Sequence, residues 1–149
     1  VAVDVADQLL DAGVITYTED RQGKKEYYKS KAGATELPFA ILINEGSASA
    51  SEIIAGAVKD AGAGPLVGMK TYGKGIIQQI VPLDNGDATK LTIMQYFSPK
   101  GSVIHKVGVE PDHVVEIPEE ALADGPLEPA ADPQLQKAVE LLIPSSVSE

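Results

Sequence analysis

The sequence predicts an α/β fold in which helices pack on a mixed β-sheet. Pro38–Asn44 (PFAILIN) is a nearly continuous apolar run, which is typical of a strand buried on both faces. Ser47–Ala61 follows with apolar residues at the spacing of an amphipathic helix. Further along, Asp84–Asp87 (DNGD) separates two segments of strand character and predicts a hairpin. A buried strand, a helix and a hairpin together indicate helices packed on a mixed sheet.

The other elements are predicted in chain order from the same signals. Val1–Ala12 has helical spacing, and Gly13 is expected at the position just after the helix end. No capping residue precedes Val1, so we expect the chain to be a fragment whose first helix has lost its beginning. Asp132 is expected to cap a final helix over Pro133–Leu142. The predicted strands are Val14–Thr18, Glu26–Ser30, Pro65–Met69, Ile76–Leu83, Thr89–Phe97 and Val114–Ile117.

Composition excludes several classes of function. The 149 residues include 22 acidic and 12 basic side chains, a net charge of −10, whereas a nucleic-acid binder needs a basic contact surface. No cysteine is present, which excludes disulfides, cysteine catalysis and thiolate metal sites. No apolar run approaches the roughly 18 residues of a membrane span. We therefore expect no nucleic-acid partner and no membrane segment in this chain, while self-association is left open.

Acidic residues are concentrated at the end of the chain. Residues 110–149 contain ten acidic side chains and a single basic one, Lys137, together with six prolines. Such a composition is typical of a solvated surface segment, with an acidic interaction tail as the alternative. We expect a core domain over 1–117 and an acidic, proline-rich surface segment over 118–149 that ends in a short helix.

Three serines alternate with alanines in Asn44–Glu52 (NEGSASASE), at the predicted junction of strand and helix. Small neighbours allow a sharp turn, and a helix N-terminus offers free N–H groups to an anion. Both properties suit a serine nucleophile beside an oxyanion hole. The alternative is that Ser47 simply caps the helix, with a nearby glutamate completing the cap.

A lysine stands between two glycines in Thr71–Gly75 (TYGKG). The run from Gly68 to Lys74 approaches a phosphate-binding loop, but Gly75 occupies the place of the required Ser or Thr. The next segment, Ile76–Leu83, is predicted to be a strand, whereas a phosphate-binding loop is followed by a helix, and this argues against nucleotide binding. Gln78 shares a strand face with Lys74 by the two-residue period, and could stand beside it or be an ordinary solvated residue.

The two histidines, His105 and His113, lack metal-ligand spacing and are expected at the surface or in turns. Asp112, which follows Pro111, is interpreted as a turn residue. We therefore expect no metal and no cofactor.

The combined motifs resemble the S41 family of serine peptidases, the carboxyl-terminal processing or tail-specific proteases. The resemblance rests on NEGSASASEIIAGAVKD, on TYGKGIIQQ and on LTIMQYFSPKGSVIHKVGVEPD. That family uses a serine–lysine dyad assisted by a glutamine, and the spacing carries these roles to Ser49, Lys74 and Gln78. The backbone N–H of Ala50 is then the expected oxyanion donor.

The resemblance implies a ClpP/crotonase-like fold and a serine endopeptidase that processes protein C-termini, so that 1–117 is part of the catalytic core. It implies protein or peptide substrates bound through their C-termini, and a location in the bacterial periplasm or cell envelope, with the plastid lumen as the lesser alternative. The family's PDZ domain and Gly-Gly strand have no counterpart here, so we expect this chain alone to cleave poorly. Ala63-Gly64 also replaces the family's usual Arg-Ala pair. The alternative function is a catalytically incompetent fragment or homologue that acts as a protein- or peptide-binding module.

Overall fold

The chain alternates short helices with strands from two separate sheets. The structure, a computed structural model, describes residues 1–122 and 127–143. Within those residues, no helix combines the length and the apolar character needed to cross a membrane. The elements are α1 (Ala2–Leu9), β1 (Gly13–Asp20), β2 (Lys25–Ser30), β3 (Ile41–Ile43), α2 (Ala50–Ala61), β4 (Leu66–Gly68), β5 (Ile76–Pro82), β6 (Ala88–Phe97), β7 (His113–Val114), a 3₁₀ turn (Glu119–Leu122) and α3 (Pro133–Leu142).

The larger sheet has four strands in the order β2-β1-β6-β5, and every neighbouring pair in it is antiparallel. The smaller sheet has three parallel strands in the order β3-β4-β7. The predicted hairpin is confirmed, because β5 and β6 pair around a tight turn in which Gly86 adopts a φ of 89°. The mixed α/β architecture is confirmed as well, although its division into two sheets was not predicted.

Helix α2 lies between the sheets and supplies much of the core. Ala55, Ala57 and Val58 of α2 are fully buried, and they cluster with Ile15 of β1 and Leu66 of β4. Burying one such large aliphatic side chain contributes about 1.5–3 kcal/mol. Helix α1 packs on the same helix. The core therefore fixes α2, and with it the turn at its N-terminus.

Several predicted boundaries are wrong by a few residues. Gly13 does not follow the end of α1, because the chain becomes extended at Leu10 and Gly13 already begins β1. Helix α2 has Ser49 as its N-cap and not Ser47. The last predicted strand begins one residue early, at His113, and ends at Val114, where its pairing with β4 stops.

The final helix is confirmed at both ends. Asp132 is its N-cap, and its side chain accepts hydrogen bonds from the N–H groups of Gln134 and Leu135 at 2.9 and 3.1 Å. Helix α3 packs against β3 and β4, with Gln134 and Ala138 buried. The division at residue 117 stays a prediction, and residues 123–126 and 144–149 of the second segment lie outside the described residues.

Asp112 joins three elements and is not merely a turn residue. One carboxylate oxygen accepts a hydrogen bond from Lys59 Nζ at 2.9 Å, and the other accepts one from the N–H of Leu66 at 2.9 Å. Lys59 also donates to the carbonyl of Glu110 at 2.7 Å. The turn interpretation failed because these partners lie 46 and 53 residues away along the chain.

Candidate active site

Ser49 occupies a strained turn between β3 and α2. Its φ is 57° and its ψ is −112°, a conformation that non-glycine residues rarely adopt. Holding a residue there costs on the order of 1–3 kcal/mol, and such strain is concentrated at functional sites. The small flanking residues Ala48 and Ala50 leave the turn open on both sides. The backbone thus has the geometry expected of a nucleophile elbow.

The first N–H group of α2 is free to bind an anion. Of the first four helical residues, Ser51, Glu52 and Ile53 all donate backbone hydrogen bonds to carbonyls of the turn. Within the described part of the chain, the Ala50 N–H has no acceptor. It carries the positive end of the helix dipole and follows directly after Ser49. This is the position expected for an oxyanion donor.

Glu52 connects the serine turn to the lysine loop. The side chain is fully buried, and one of its oxygens accepts from the N–H groups of Ser49 and Lys74 at 3.0 and 2.8 Å. The other accepts from Thr71 Oγ1 and from the N–H of Gly73, each at 2.6 Å. A buried carboxylate is costly unless it is paired or fully hydrogen-bonded, and here four donors satisfy it. Sequence reasoning missed this role, although the capping-box position of Glu52 was a signal.

The loop around Lys74 is packed tightly through its glycines. Gly73 adopts a φ of 88°, and its carbonyl accepts from the N–H of Lys106 at 2.8 Å. A Cβ on Gly75 would lie 2.5 Å from the backbone nitrogen of His105, so no larger residue fits there. These contacts explain why the lysine stands between two glycines.

Lys74 itself is fixed through its backbone, while its side chain is exposed. Its N–H donates to Glu52, and its carbonyl accepts a hydrogen bond from the hydroxyl of Tyr96. Among the described residues, no hydrogen bond joins Lys74 Nζ to Ser49 Oγ. The structure therefore brings the two backbones together through a shared carboxylate oxygen, and the serine–lysine contact stays a prediction.

Gln78 lies on β5 with an exposed side chain. Its Nε2 donates to Thr92 Oγ1 on β6 at 3.2 Å. Among the described residues it makes no hydrogen bond to Lys74, and its assisting role stays a prediction. The pairing of β5 with β6 shifts by one residue beside it, because Ile77 faces Met94 whereas Gln78 faces Thr92.

Tyr96 is a second residue that sequence reasoning missed. It lies on β6 and is 3% exposed, and its hydroxyl reaches the carbonyl of Lys74. Burial raises the pKa of Tyr96 to about 12; the Glu52 carboxylate adds to the rise, and the Ser49 hydroxyl opposes it. The phenol is therefore neutral at ordinary pH. An aromatic residue in a strand is normally interpreted as a core residue, so the sequence alone gave no sign that the Tyr96 hydroxyl contacts the Lys74 carbonyl.

A cleft of about 320 Å³ opens beside Ser49. It is bordered by α1, by the first turn of α2 and by strands of the larger sheet, and its lining is mainly apolar. Thr16 and Thr18 contribute hydroxyl groups to this lining, and the rest of it suits an apolar side chain. The lining residues are Val3, Thr16, Thr18, Tyr28, Ser49, Ala50, Ile53, Ile76, Ile77 and Tyr96.

The histidines take no part in this site. His105 lies in a turn and His113 begins β7. Over residues 1–122 and 127–143, no group of three histidine, aspartate or glutamate side chains is arranged to hold a metal ion.

Comparison with known proteins agrees with these observations. The model of Peptidase family S41 matches residues 1–115. The "Carboxyl-terminal-processing protease" of Synechocystis sp. is 42% identical over 141 residues, which are 94% of this chain and 33% of that protein. The "Carboxyl-terminal-processing peptidase 2, chloroplastic" of Arabidopsis thaliana is 45% identical over 114 residues, 74% of this chain and 22% of that protein. This chain thus spans a third or less of the length of either relative.

A solved structure, the "photosystem II D1 C-terminal processing protease", matches with a TM-score of 0.72 at 38% identity, over 77% of this chain and 30% of that one. The fold is accordingly the ClpP/crotonase-like α/β fold that the resemblance implied. The family model covers most of the chain and a relative at 42% identity covers nearly all of it, so the chain belongs to peptidase family S41.

Proposed function

We propose that this chain carries the reaction centre of a serine endopeptidase that processes protein C-termini. The observation that carries the proposal is the strained Ser49 turn, which Glu52 ties to the Lys74 loop in a chain of this family. The relatives' names support the choice of substrate, since both relatives are called carboxyl-terminal processing enzymes.

In the proposed mechanism, Ser49 Oγ attacks the carbonyl carbon of the scissile peptide. The neutral amine of Lys74 takes the hydroxyl proton as the new C–O bond forms. The tetrahedral intermediate then collapses, the C–N bond breaks, and Lys74 returns the proton to the leaving amine. Water attacks the resulting ester with Lys74 again as base, which releases the new C-terminus and restores Ser49.

Two further residues assist in the proposed mechanism. The free N–H of Ala50 donates to the oxyanion that forms on the carbonyl oxygen. Gln78 orients the Lys74 amine without adding a negative charge, because a carboxylate there would favour the protonated, inactive lysine. Gln78 is exposed, so its side chain is free to turn from Thr92 towards the lysine.

The proposed substrates are proteins or peptides with apolar residues at the cleaved bond, which fit the mainly apolar cleft. Relatives from cyanobacteria and chloroplasts support a location outside the cytoplasm, in the periplasm or cell envelope or in a plastid lumen.

The test compares three serines in the protein at its full natural length. Ser49→Ala should abolish cleavage of a peptide with an apolar C-terminus, because no nucleophile is left. Ser47→Ala and Ser51→Ala, matched changes in the same turn, should retain activity and cost at most about 1 kcal/mol of stability. Activity that survives in Ser49→Ala would contradict the proposal, whereas binding of the peptide without cleavage when Ser49 is intact would favour the peptide-binding module.

Lys74→Arg tests whether Lys74 acts as the general base or only as a positive charge. A guanidinium stays protonated at any working pH, so arginine should be as damaging to kcat as alanine. If Lys74 acted only as a positive charge, Lys74→Arg would keep much of the activity and Lys74→Ala would not. The two outcomes are separated by measuring kcat for both variants under the same conditions.

A further inference from the structure

The hydroxyl of Tyr96 lies between the Ser49 turn and the loop that carries Lys74. Its ring belongs to the buried core cluster, and only the hydroxyl reaches the lysine loop. Both Tyr96 and Ser49 line the same cleft, so the phenol oxygen and the serine side chain face a common space. A phenylalanine would pack in the core equally well, which means that packing alone does not explain the hydroxyl.

We propose that Tyr96 is a positioning residue that holds Lys74 in register with Ser49. The inference rests on the proposed function, because it assigns Tyr96 a task within the Ser49–Lys74 reaction. Tyr96 donates its single proton to the Lys74 carbonyl.

The two peptide groups that flank the Lys74 Cα are held from two different elements. The Lys74 N–H is bound by Glu52 of α2, the helix that also carries Ser49, and the Lys74 carbonyl is bound by Tyr96 of β6. With both peptide groups held, φ and ψ of Lys74 are restrained, and the Lys74 side chain leaves the backbone in one direction. Losing the Tyr96 hydroxyl would release one of the two peptide groups, and a displacement of about 1 Å at a reacting group can cost on the order of 100-fold in rate.

Tyr96 acts in this arrangement as a hydrogen-bond donor and not as a base. Its pKa of about 12 keeps it protonated throughout the working range, so it can hold the carbonyl at every pH at which the enzyme turns over. The hydroxyl is also costly to bury without a partner, and Lys74 supplies that partner.

The test is Tyr96→Phe in the protein at its full natural length, with Tyr17→Phe as the matched control. Tyr17 is 8% exposed and lies on β1, where strand alternation points it to the sheet face opposite the cleft. We expect Tyr96→Phe to lower kcat per active site by about 10- to 100-fold, with KM changed less than about twofold. Tyr17→Phe should leave both constants unchanged.

The pH profile separates positioning from a merely structural role. In the productive arrangement the Lys74 amine turns from solvent towards Ser49 and the apolar cleft; with its backbone loosened, the amine should return to solvent more often, which favours the protonated lysine and moves the rising limb of kcat to higher pH. A simple loss of folded protein would lower kcat at every pH without moving the limb. The other ionisable groups packed on this loop are unchanged in the variant: Glu52 of α2, and His105 and Lys106 of the loop that contacts Gly73 and Gly75.

A second variant covers the case in which Tyr96→Phe does not fold. 3-Fluorotyrosine at position 96 keeps the ring and the hydroxyl but ionises at lower pH, so activity should be near native at neutral pH and should fall earlier on the alkaline side. If Tyr96→Phe folds, a native kcat and a native pH limb in that variant would overturn the inference; if it does not fold, a native alkaline limb in the 3-fluorotyrosine protein would overturn it, with Ser49→Ala inactive in either case. Turnover by Ser49→Ala would instead overturn the proposed function.

Discussion

At the residue scale, Glu52 connects the parts of the site through four hydrogen bonds. Its donors come from the Ser49 turn and from the loop that carries Lys74, the proposed base. Because both oxygens accept two bonds each, a neutral amide cannot replace the carboxylate without turning an NH₂ group towards existing donors. The geometry of the site therefore depends on an acid that takes no direct part in the proposed chemistry.

Glu52→Gln should destabilise the fold by about 2–3 kcal/mol, because hydrogen bonds to a buried charged group are lost. It should also lower kcat, since the Ser49 and Lys74 backbones lose their common partner. Urea unfolding and peptide turnover measure the two effects. Glu45→Gln, on an exposed residue of the same turn, should change neither. Equal stability of the two variants would contradict the role assigned to Glu52.

Residues of this site differ in how well the sequence predicts them. Local patterns drew attention to three serines and to Lys74, and the family resemblance then selected Ser49 among the serines and gave Lys74 the role of base. The contacts of Glu52 and Tyr96 with the lysine loop could not be predicted, because they join residues 19 to 22 positions apart; only the bond from the Ser49 N–H to Glu52 follows a local capping pattern. Long-range hydrogen bonds of this kind become visible only once the chain is folded.

At the scale of the elements, two connections carry the site: the turn from β3 into α2, and the loop that leads into β5. A backbone hydrogen bond joins them directly, since the N–H of Tyr72 donates to the carbonyl of Ser47 at 3.0 Å. The sequence predicted β3, α2 and β5 as elements of the right type, but it misplaced their ends. Apolar periodicity marks which face of an element is buried, whereas the ends depend on tertiary hydrogen bonds such as those of Glu52.

Strand alternation on β5 allows a test of Gln78. Gln78→Glu should move the rising limb of the pH–rate profile to higher pH, because a carboxylate beside the amine favours the protonated lysine. Gln79→Glu, which adds the same charge to the opposite face of the strand, should leave the limb in place. An identical profile for both variants would mean that Gln78 does not act on Lys74.

Asp112 provides a stability test at the other end of α2. Burial opposes its ionisation, but the hydrogen bonds from Lys59 and Leu66 outweigh burial and lower the pKa of Asp112. The ionised form therefore stabilises the fold above the unfolded-state pKa of about 4, and this contribution is lost as the pH falls through the folded pKa.

Asp112→Asn should accordingly cost about 1 kcal/mol near neutral pH, in the range of partly exposed pairs, and progressively less in acid. Chemical unfolding at pH 7 and at pH 3 measures the difference. Glu110→Gln, which breaks the exposed ion pair with Lys70, is the control and should have a smaller effect at both values. A cost for Asp112→Asn that is equal at the two pH values would contradict the ionic explanation.

At the scale of the whole molecule, the site lies where two sheets meet across α2. Ser49 lies in the turn that follows β3 of the parallel sheet. Tyr96 lies on β6 of the antiparallel sheet, and Lys74 shortly precedes β5 of that sheet. The sequence predicted a mixed sheet but not this division, because β1 pairs with β6 across about 80 residues and strand pairing at that distance has no local signal. The family resemblance supplied the fold where local patterns could not.

The central claim is that Ser49 is a nucleophile activated by Lys74. Its most direct test is labelling of the protein, at its full natural length, with a fluorophosphonate, followed by mapping of the modified residue by mass spectrometry. The account predicts modification at Ser49 alone, at a rate that falls by about 100-fold or more in Lys74→Ala. Modification at Ser47 or Ser51, or an unchanged rate at Ser49 in Lys74→Ala, would contradict it.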